Sequence, residues 1–344
     1  MSKDTPFDQL SRVSAAFQES SILAAAAELD LFTAILEHEN RISVQELAEI
    51  LQTDIRGTSV LLDALTATEY LEKSGIDSSA AYSVTTDFAK LLDSRNPATF
   101  IPMLRHMSCV QRCWTRIADT VKTGTRFDIP PSILGAEEDR ASFIWAMNSI
   151  AGALVRPVLD TLWQAKLLTF NKFIDIGGAS GTYAAAFLRT LPRSEGTIVD
   201  LPVGIAAARQ RFTASEFEHR IQLVEADFFR DEFPTGFDFA WVSAVIHQFD
   251  RSGSRELYKK AFRSLRSGGK IAVRDFMMNA ARTAPKDGAF FGINMLVETQ
   301  TGRVYTFEEV KSDLESAGFT NVKLAVSDET MSAIAAAEKP QAGR

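Results

Sequence analysis

The spacing of apolar residues along the chain changes near residue 165. Before that point apolar residues recur at the intervals of amphipathic helices, and beyond it short apolar runs alternate with helical segments. The change predicts two domains, a mainly helical one over residues 1–165 and an α/β one over residues 166–344.

The first domain is predicted to begin with the order helix, turn, helix, hairpin. Helical patterns cover SSILAAAAELDLFTAIL and ISVQELAEIL, and in the second of these Ser43 and Glu46 have the spacing of a capping box. A further helix is expected at about residues 58–71, and EKSGIDSSAAYSVT alternates as a hairpin does. This order is the outline of a winged helix. Two more helical stretches are predicted at residues 97–123 and 137–166.

The second domain is predicted to be a parallel sheet with helices on both faces. Five strand-like runs, KFIDI, GTIVDL, RIQLVEA, FDFAWV and GKIAVRDF, alternate with helical patterns at residues 181–190, 202–213 and 253–266. Because crossovers between parallel strands are right-handed, the loops that follow these strands meet at one edge of the sheet. Ligands of such folds bind at that edge.

Composition narrows the class of protein. Of the 344 residues 46% are apolar and 24% charged, which is typical of a soluble globular chain. No apolar run approaches the ~18 residues of a membrane span, and the first residues lack a secretory signal, so we expect no membrane partner. The only cysteines are Cys109 and Cys113. They predict packing rather than a disulfide or a metal site, and a reducing cytoplasm as the location.

Charge argues against a nucleic-acid partner. The net charge is −7, and residues 41–72, the core of the predicted winged helix, carry six acidic and two basic residues. Binding to phosphates requires the opposite sign. An apolar helical domain of this kind is more consistent with packing against a second copy, which predicts a homodimer.

The loop after the first strand of the second domain is rich in glycine. Asp175 ends this strand in FIDIGGASG and is followed by Gly177, Gly178 and Gly181. Glycines let the backbone turn sharply and approach a ligand closely. Taken alone, the loop could also be a tight turn that binds nothing.

Aspartates at the next two strand ends indicate which class of ligand the loop binds. Asp200 ends the second strand, 25 residues after Asp175, where a carboxylate can accept both hydroxyls of a ribose. Asp227 follows the third strand, and Phe228 beside it suits an adenine ring. Each aspartate alone could be solvated, but together they describe an adenosine site. The loop GGASG departs from the G-x-G-x-x-G of dinucleotide sites, which favours S-adenosylmethionine over NAD.

His247 is the candidate catalytic residue. It lies just beyond the fourth strand, in FDFAWVSAVIHQFD, on the edge where the cofactor loop is expected. Methyl transfer is an in-line displacement, so an enzyme contributes alignment and removal of the acceptor's proton. Asp275, at the end of the next strand, could hold the second ring nitrogen of the imidazole. A lone histidine is otherwise more often structural.

These motifs resemble those of the S-adenosylmethionine-dependent O-methyltransferases of the caffeic acid and acetylserotonin type. The strongest pieces, in order, are DIGGASG, IVDLP, EADFF, VIHQF, GGKIAVRDF and NMLVETQTGRVYTFEEVKSDLESAGF. The resemblance covers nearly the whole chain. It implies a Rossmann-like catalytic domain, a winged-helix dimerisation domain, S-adenosylhomocysteine as the product of the cofactor, and a small-molecule acceptor.

The resemblance also assigns roles to single residues. His247 corresponds to the general base, and Asp275 to the carboxylate that orients it. The positions that correspond to cofactor contacts are Asp175, Gly177, Gly178, Gly181, Asp200, Leu201, Asp227, Phe228 and Ser243. The segments that line the acceptor site, together with apolar candidates near them, give Trp145, Met147, Phe291, Asn294 and Met295. These apolar residues could equally belong to a core.

The chain departs from the family pattern at functional positions. Ser243 replaces a lysine that contacts the cofactor, so one contact is expected to be lost, and Val304 replaces a glutamate that supports the base. Arg274 and Arg303 could grip an acidic acceptor, unless both are surface ion-pair residues. Two alternatives to O-methyl transfer therefore stay open. One is transfer to a thiol or thioether with no obligatory base, and the other is cofactor binding without transfer.

Overall fold

The computed structural model describes residues 4–76, 80–326 and 333–341. By contacts the chain forms two compact units that interleave along the sequence. One comprises Met1–Arg112 and Ile129–Ser149, and the other Cys113–Asp128 and Ile150–Arg344. The division of roles between residues 1–165 and 166–344 stays a prediction.

The first unit is mainly helical and carries a small antiparallel sheet in the order β1-β3-β2. Its helices and strands are α1 (Pro6–Ala15), α2 (Phe17–Glu28), α3 (Leu31–Glu37), β1 (Ile42–Ser43), α4 (Val44–Leu51), α5 (Ile55–Ala67), β2 (Leu71–Ser74), β3 (Ala81–Val84) and α6 (Ile101–Trp114), whose last two residues belong to the second unit. Phe32, Leu47, Leu62 and Tyr82 lie in its core.

Local signals explain where these elements begin and end. The capping box of Ser43 and Glu46 is confirmed, with both reciprocal hydrogen bonds present. The apolar run at residues 20–36 is not one helix, because Asp30 adopts a left-handed conformation (φ 53°) between α2 and α3. The next helix begins earlier than predicted, since Asp54 caps it, and Leu71 belongs to β2 instead. The tip of the predicted hairpin, residues 77–79, lies outside the described residues.

The second unit is an α/β structure built on a seven-stranded sheet in the order β11-β12-β8-β7-β4-β5-β6. Its elements are α7 (Ile117–Thr123), β4 (Lys172–Ile176), α9 (Thr182–Thr190), β5 (Glu195–Asp200), α10 (Pro202–Phe212), β6 (Ile221–Glu225), β7 (Phe237–Ser243), α11 (Arg251–Ser264), β8 (Leu265–Asp275), β9 (Met277–Met278), α12 (Lys286–Glu298), β10 (Tyr305–Thr306), α13 (Phe307–Ser316), β11 (Thr320–Val326) and β12 (Ala333–Glu338). The strands predicted from the five apolar runs are β4 to β8, and they pair in parallel.

Residues 333–338, the Ala-rich segment AIAAAE, form an inner strand of this sheet. Here β12 pairs antiparallel with both β8 and β11. Ala333, Ile334 and Ala335 are almost completely buried. Small residues therefore suit a strand that is covered on both faces.

Helix α8 (Ala136–Gln164) contributes residues to both units. By length and composition it could cross a membrane. Part of its apolar surface packs inside the protein, since Val158 and Leu162 are buried in the core of the second unit. A core helix of a globular protein meets the same criterion, so α8 alone is weak support for a membrane span.

Alternation along the strands gives the large sheet two apolar faces. Ile176, Val242 and Val273 point to one core, and Phe173, Trp241 and Ala272 to the other. Helices cover both faces of the sheet. A ligand is therefore expected to bind at the carboxyl ends of β4, β5, β7 and β8.

Candidate active site

The turn between β4 and α9 is a tight backbone bend. Gly177 and Gly181 have φ angles of 76° and 75°, which favour glycine, and Ala179 shares the left-handed conformation at 44°. A Cβ atom on Gly181 would lie 2.5 Å from the Phe212 ring, and one on Gly177 would lie 2.5 Å from Val245 Cγ2. The bend therefore has no room for larger side chains at these two positions.

Asp175 lies directly beneath this bend. A Cβ atom on Gly178 would approach its carboxyl group to 2.8 Å. The Asp175 side chain is buried, and its Oδ2 has no hydrogen-bond partner. Burial, and then the charge of Asp200, raise the pKa of Asp175 to about 8.

Asp200 is brought to the same bend from the end of β5. Its Oδ2 accepts a 2.8 Å hydrogen bond from the Ala179 backbone N–H, and Oδ1 accepts one of 2.7 Å from Leu201 N–H. Burial raises the pKa of Asp200 against these two hydrogen bonds. Leu201 is half exposed at the start of α10. Each carboxylate oxygen keeps a second lone pair that a ribose hydroxyl could use.

Phe228 and Asp227 follow β6 at the neighbouring strand end. The Phe228 ring lies 3.6 Å from the place a Gly177 Cβ would occupy. Lys260 Nζ donates to the Phe228 carbonyl at 2.6 Å and fixes this turn. The Asp227 carboxylate accepts from Phe229 N–H at 2.9 Å. The three strand ends singled out in the sequence therefore converge on the glycine bend.

His247 and Asp275 form a buried pair at the ends of β7 and β8. His247 lies in a short 3₁₀ turn, Ile246–Gln248, and is only 7% exposed. Its Nδ1 lies 3.0 Å from each oxygen of the Asp275 carboxylate. Asp275 Oδ1 also accepts from Phe276 N–H at 2.8 Å. An Nδ1–H donated to the carboxylate leaves Nε2 as the acceptor.

Helix α12 brings a further carboxyl group to this pair, which sequence reasoning missed. The Phe291 ring packs edge-on against the imidazole, with centroids 4.7 Å apart. Asn294 accepts a 2.7 Å hydrogen bond from Trp114 Nε1 and donates one of 3.1 Å to Glu298. Burial raises the pKa of Glu298 to about 7, and the nearby His247 opposes that rise. The i, i+4 spacing of Asn294 and Glu298 was the available signal.

The other candidate acceptor residues lie in different surroundings. Met295 is buried on α12, whereas Trp145 and Met147 lie on the part of α8 that belongs to the first unit. Val304 packs in an apolar cluster with Phe276 and Met278, so no carboxyl group stands at that position.

The two candidate arginines are not equivalent. Arg303 is 43% exposed at its side chain and pairs with Glu309 at 3.5 Å. Its backbone N–H donates to the His247 carbonyl at 2.8 Å. Arg274 is buried and donates from Nη1 to Ser243 Oγ at 2.8 Å.

Comparison with known proteins identifies the family. The model of the O-methyltransferase domain matches residues 125–320, more than half of the chain, and that of the O-methyltransferase dimerisation domain matches residues 11–94. The chain belongs to the O-methyltransferase family.

Individual relatives match this methyltransferase over almost its full length. Acetylserotonin O-methyltransferase of Gallus gallus is 29% identical, with 90% of each chain covered. The tetracenomycin polyketide synthesis 8-O-methyl transferase TcmO of Streptomyces glaucescens is 28% identical, again with 90% of each covered. The crystal structure of human N-acetylserotonin methyltransferase in complex with SAM superposes with a TM-score of 0.82 at 26% identity, covering 99% of each chain.

The methyltransferase uses S-adenosylmethionine as its cofactor, and its own residues fit that molecule. The glycine bend leaves a backbone cradle that a Cβ would fill, and Asp175 and Asp200 present carboxyl oxygens there. Arg274 Nε and Nη2 are buried without hydrogen-bond partners, and the guanidinium carbon lies 5.6 Å from the centre of the Tyr183 ring on α9. Within residues 4–76, 80–326 and 333–341, no three His, Cys, Asp or Glu side chains are grouped to hold a metal ion.

Proposed function

We propose that this methyltransferase moves the methyl group to a hydroxyl oxygen of a small-molecule acceptor, with His247 as general base. The observation that carries the proposal is the buried pair of His247 and Asp275, held by two 3.0 Å contacts. The carboxylate fixes the ring so that Nε2 can take the proton of the acceptor hydroxyl. It also stabilises the imidazolium that results.

The cofactor is proposed to lie across the glycine bend. When bound, it supplies an electrophilic methyl group. Asp200 and Leu201 would hold the ribose, Asp227 and Phe228 the adenine, and Asp175 would support the amino group of the methionine moiety through the loop. The bend of Gly177, Gly178 and Gly181 allows the backbone to approach closely, and Ser243 lies at the adjoining strand end.

The acceptor is proposed to lie against the face of α12 that meets His247. Phe291 and Met295 offer apolar contact, and Asn294 offers an amide. A small aromatic ring with a hydroxyl group suits this combination. The relatives reported above carry names of O-methyl transferases, which supports oxygen as the acceptor atom. The roles of Trp145, Met147 and Arg303 stay predictions.

The position of Glu298 is relevant to whether the acceptor atom is oxygen or sulfur. Val304, in place of the family's glutamate, motivates base-free transfer to sulfur, because His247 would then lack a second carboxyl neighbour. Glu298 supplies a carboxyl group from α12 instead, near enough to His247 for the imidazole charge to affect its pKa. This placement favours transfer to a hydroxyl oxygen.

We propose that the protein acts as a cytoplasmic homodimer whose N-terminal unit has the winged-helix arrangement. The dimerisation domain supports the assembly, and so does an apolar stripe on the first helices. Phe7, Leu10, Val13 and Phe17 are each between 62% and 77% exposed. Apolar side chains at this spacing form one helix face that a second copy could cover.

The experiment is transfer from methyl-labelled cofactor to matched sets of phenols, thiols and thioethers, with the methylated atom identified by NMR. We expect labelled ethers, and a loss of about 10²–10⁴-fold in His247→Ala. Products labelled only on sulfur, or a loss of only a few-fold in His247→Ala, would reject the base role. No labelled product with any acceptor would favour cofactor binding without transfer.

A further inference from the structure

Arg274 is a cation in the interior of the large sheet. It lies on β8 between two paired strands, opposite Ser243 of β7 and Ile334 of β12, and is only 3% exposed. Its neighbour on the same face, Ala272, is fully buried and apolar. A buried guanidinium costs several kcal/mol unless an anion and further hydrogen bonds compensate it.

The side chain is only partly satisfied by the protein. Nη1 donates to Ser243 Oγ at 2.8 Å, and the guanidinium carbon lies 5.6 Å from the centre of the Tyr183 ring. Nε and Nη2 are buried and have no hydrogen-bond partner. Among the described residues, no carboxylate forms an ion pair with Arg274.

The buried acidic group on the same face of the sheet, Asp175, does not supply the missing charge. Asp175 lies on the same face of the sheet, since it pairs with Trp241, two residues before Ser243. Burial and Asp200 raise the pKa of Asp175 to about 8, so it is largely protonated at neutral pH. The guanidinium is therefore left with an uncompensated charge and two N–H groups to donate.

The position of Arg274 connects it to the glycine bend. Ser243 is the last residue of β7, and Tyr183 is the second residue of α9, which begins directly after Gly181. The guanidinium thus lies next to the first turn of α9, at the sheet edge that carries the glycine bend. A planar fork of N–H donors in such a place matches a carboxylate in two-point contact.

We propose that Arg274 binds a carboxylate, that of the methionine moiety of S-adenosylmethionine, and replaces the lysine for which this chain has Ser243. This carboxylate is the only anionic group that the cofactor carries. Ser243 then orients the guanidinium instead of contacting the ligand with a charge. The inference rests on the proposed cofactor site, and it revises the prediction that Arg274 binds the acceptor.

The test compares two nucleosides by calorimetry. S-adenosylhomocysteine carries the amino-acid tail, whereas 5′-methylthioadenosine has the same adenosine and thioether without it. In Arg274→Met we expect S-adenosylhomocysteine to bind about 10²–10³-fold more weakly, with 5′-methylthioadenosine changed less than about threefold. Arg274→Lys keeps the charge but not the fork, and should lie between wild type and Arg274→Met.

Further variants separate binding from folding. Arg274→Met should be at least as thermally stable as wild type without ligand, because it removes an uncompensated buried charge. Ser243→Lys combined with Arg274→Met should recover part of the lost affinity. Equal losses for the two nucleosides, or an unchanged affinity for S-adenosylhomocysteine, would overturn the assignment.

Two other outcomes would also test the assignment of Arg274. Unchanged affinity for S-adenosylhomocysteine with a raised KM for carboxylate-bearing acceptors, but not for neutral ones, would assign Arg274 to the acceptor. Wild-type protein that binds neither nucleoside would contradict the proposed cofactor site itself.

Discussion

The imidazole of His247 and the carboxylate of Asp275 are joined through Nδ1, which lies 3.0 Å from each oxygen. A second link runs from the His247 backbone N–H to Asp275 Oδ2 at 3.4 Å. The end of β8 therefore controls both the ring orientation and the turn that carries it.

Replacing the carboxylate should damage transfer without damaging cofactor binding. In Asp275→Asn the amide no longer stabilises a positively charged ring, and it can select the wrong tautomer. We expect turnover to fall by about 10²–10⁴-fold, with S-adenosylhomocysteine affinity changed less than threefold. Steady-state kinetics and calorimetry check the two quantities. A parallel loss of both would indicate that Asp275 is needed for the fold of the site instead.

The elevated pKa of Glu298 predicts how stability depends on pH. The folded protein keeps this proton up to about pH 7, whereas the unfolded chain releases it near its ordinary value of roughly 4. The folded state thus binds more protons in that interval, and this contribution to the free energy of unfolding is lost as pH rises.

Glu298→Gln removes that contribution. The Tm of Glu298→Gln minus that of wild type should rise between about pH 4.5 and 7.5 and then level off. Glu308→Gln, at an exposed position on α13, serves as control and should not show this rise. A pH-independent difference for Glu298→Gln would mean that the carboxyl titrates as an exposed one does.

The glycine bend predicts a contrast between two substitutions to alanine. Gly181→Ala places a Cβ 2.5 Å from Phe212 in a backbone with φ 75°, so it should cost about 1–3 kcal/mol and weaken binding of S-adenosylhomocysteine. Gly152→Ala lies within α8 with nothing within 4 Å of the added Cβ, so it should leave stability unchanged or raise it. Denaturant unfolding and calorimetry measure both. Equal effects would show that the bend tolerates a side chain.

The apolar stripe on α1 predicts the assembly state. Leu10→Glu introduces a charge into the exposed row of Phe7, Leu10 and Val13, and should convert the dimer to a monomer in light scattering. Ile133→Glu, which also replaces an exposed apolar residue, should leave the mass unchanged. A wild-type mass of one chain would contradict the proposed homodimer.

Local sequence patterns predict much of the fold. The strands β4 to β8 were predictable because each combines an apolar run with a turn or helix signal at its end. The capping box of Ser43 and Glu46 was predictable because it needs only two residues three apart. The break at Asp30 was not, because apolar periodicity continues through it.

The features that the sequence did not predict depend on contacts between segments that are far apart along the chain. β12 was missed because an Ala-rich segment becomes a strand only by pairing with β8 and β11. Glu298 was missed because it stands six residues before Val304, and only the approach of α12 to His247 brings it into the site. The burial of Arg274 likewise follows from its two neighbouring strands.

The proposed mechanism requires His247 to remove the proton of the acceptor hydroxyl. The most direct measurement is kcat/KM at one pH for a series of similarly shaped phenols of graded pKa, in wild type and in His247→Ala. A base is needed most where the phenol holds its proton, so the loss in His247→Ala should grow with phenol pKa and nearly vanish for phenols already ionised in solution. A loss that is the same for every phenol would rule out His247 as the general base.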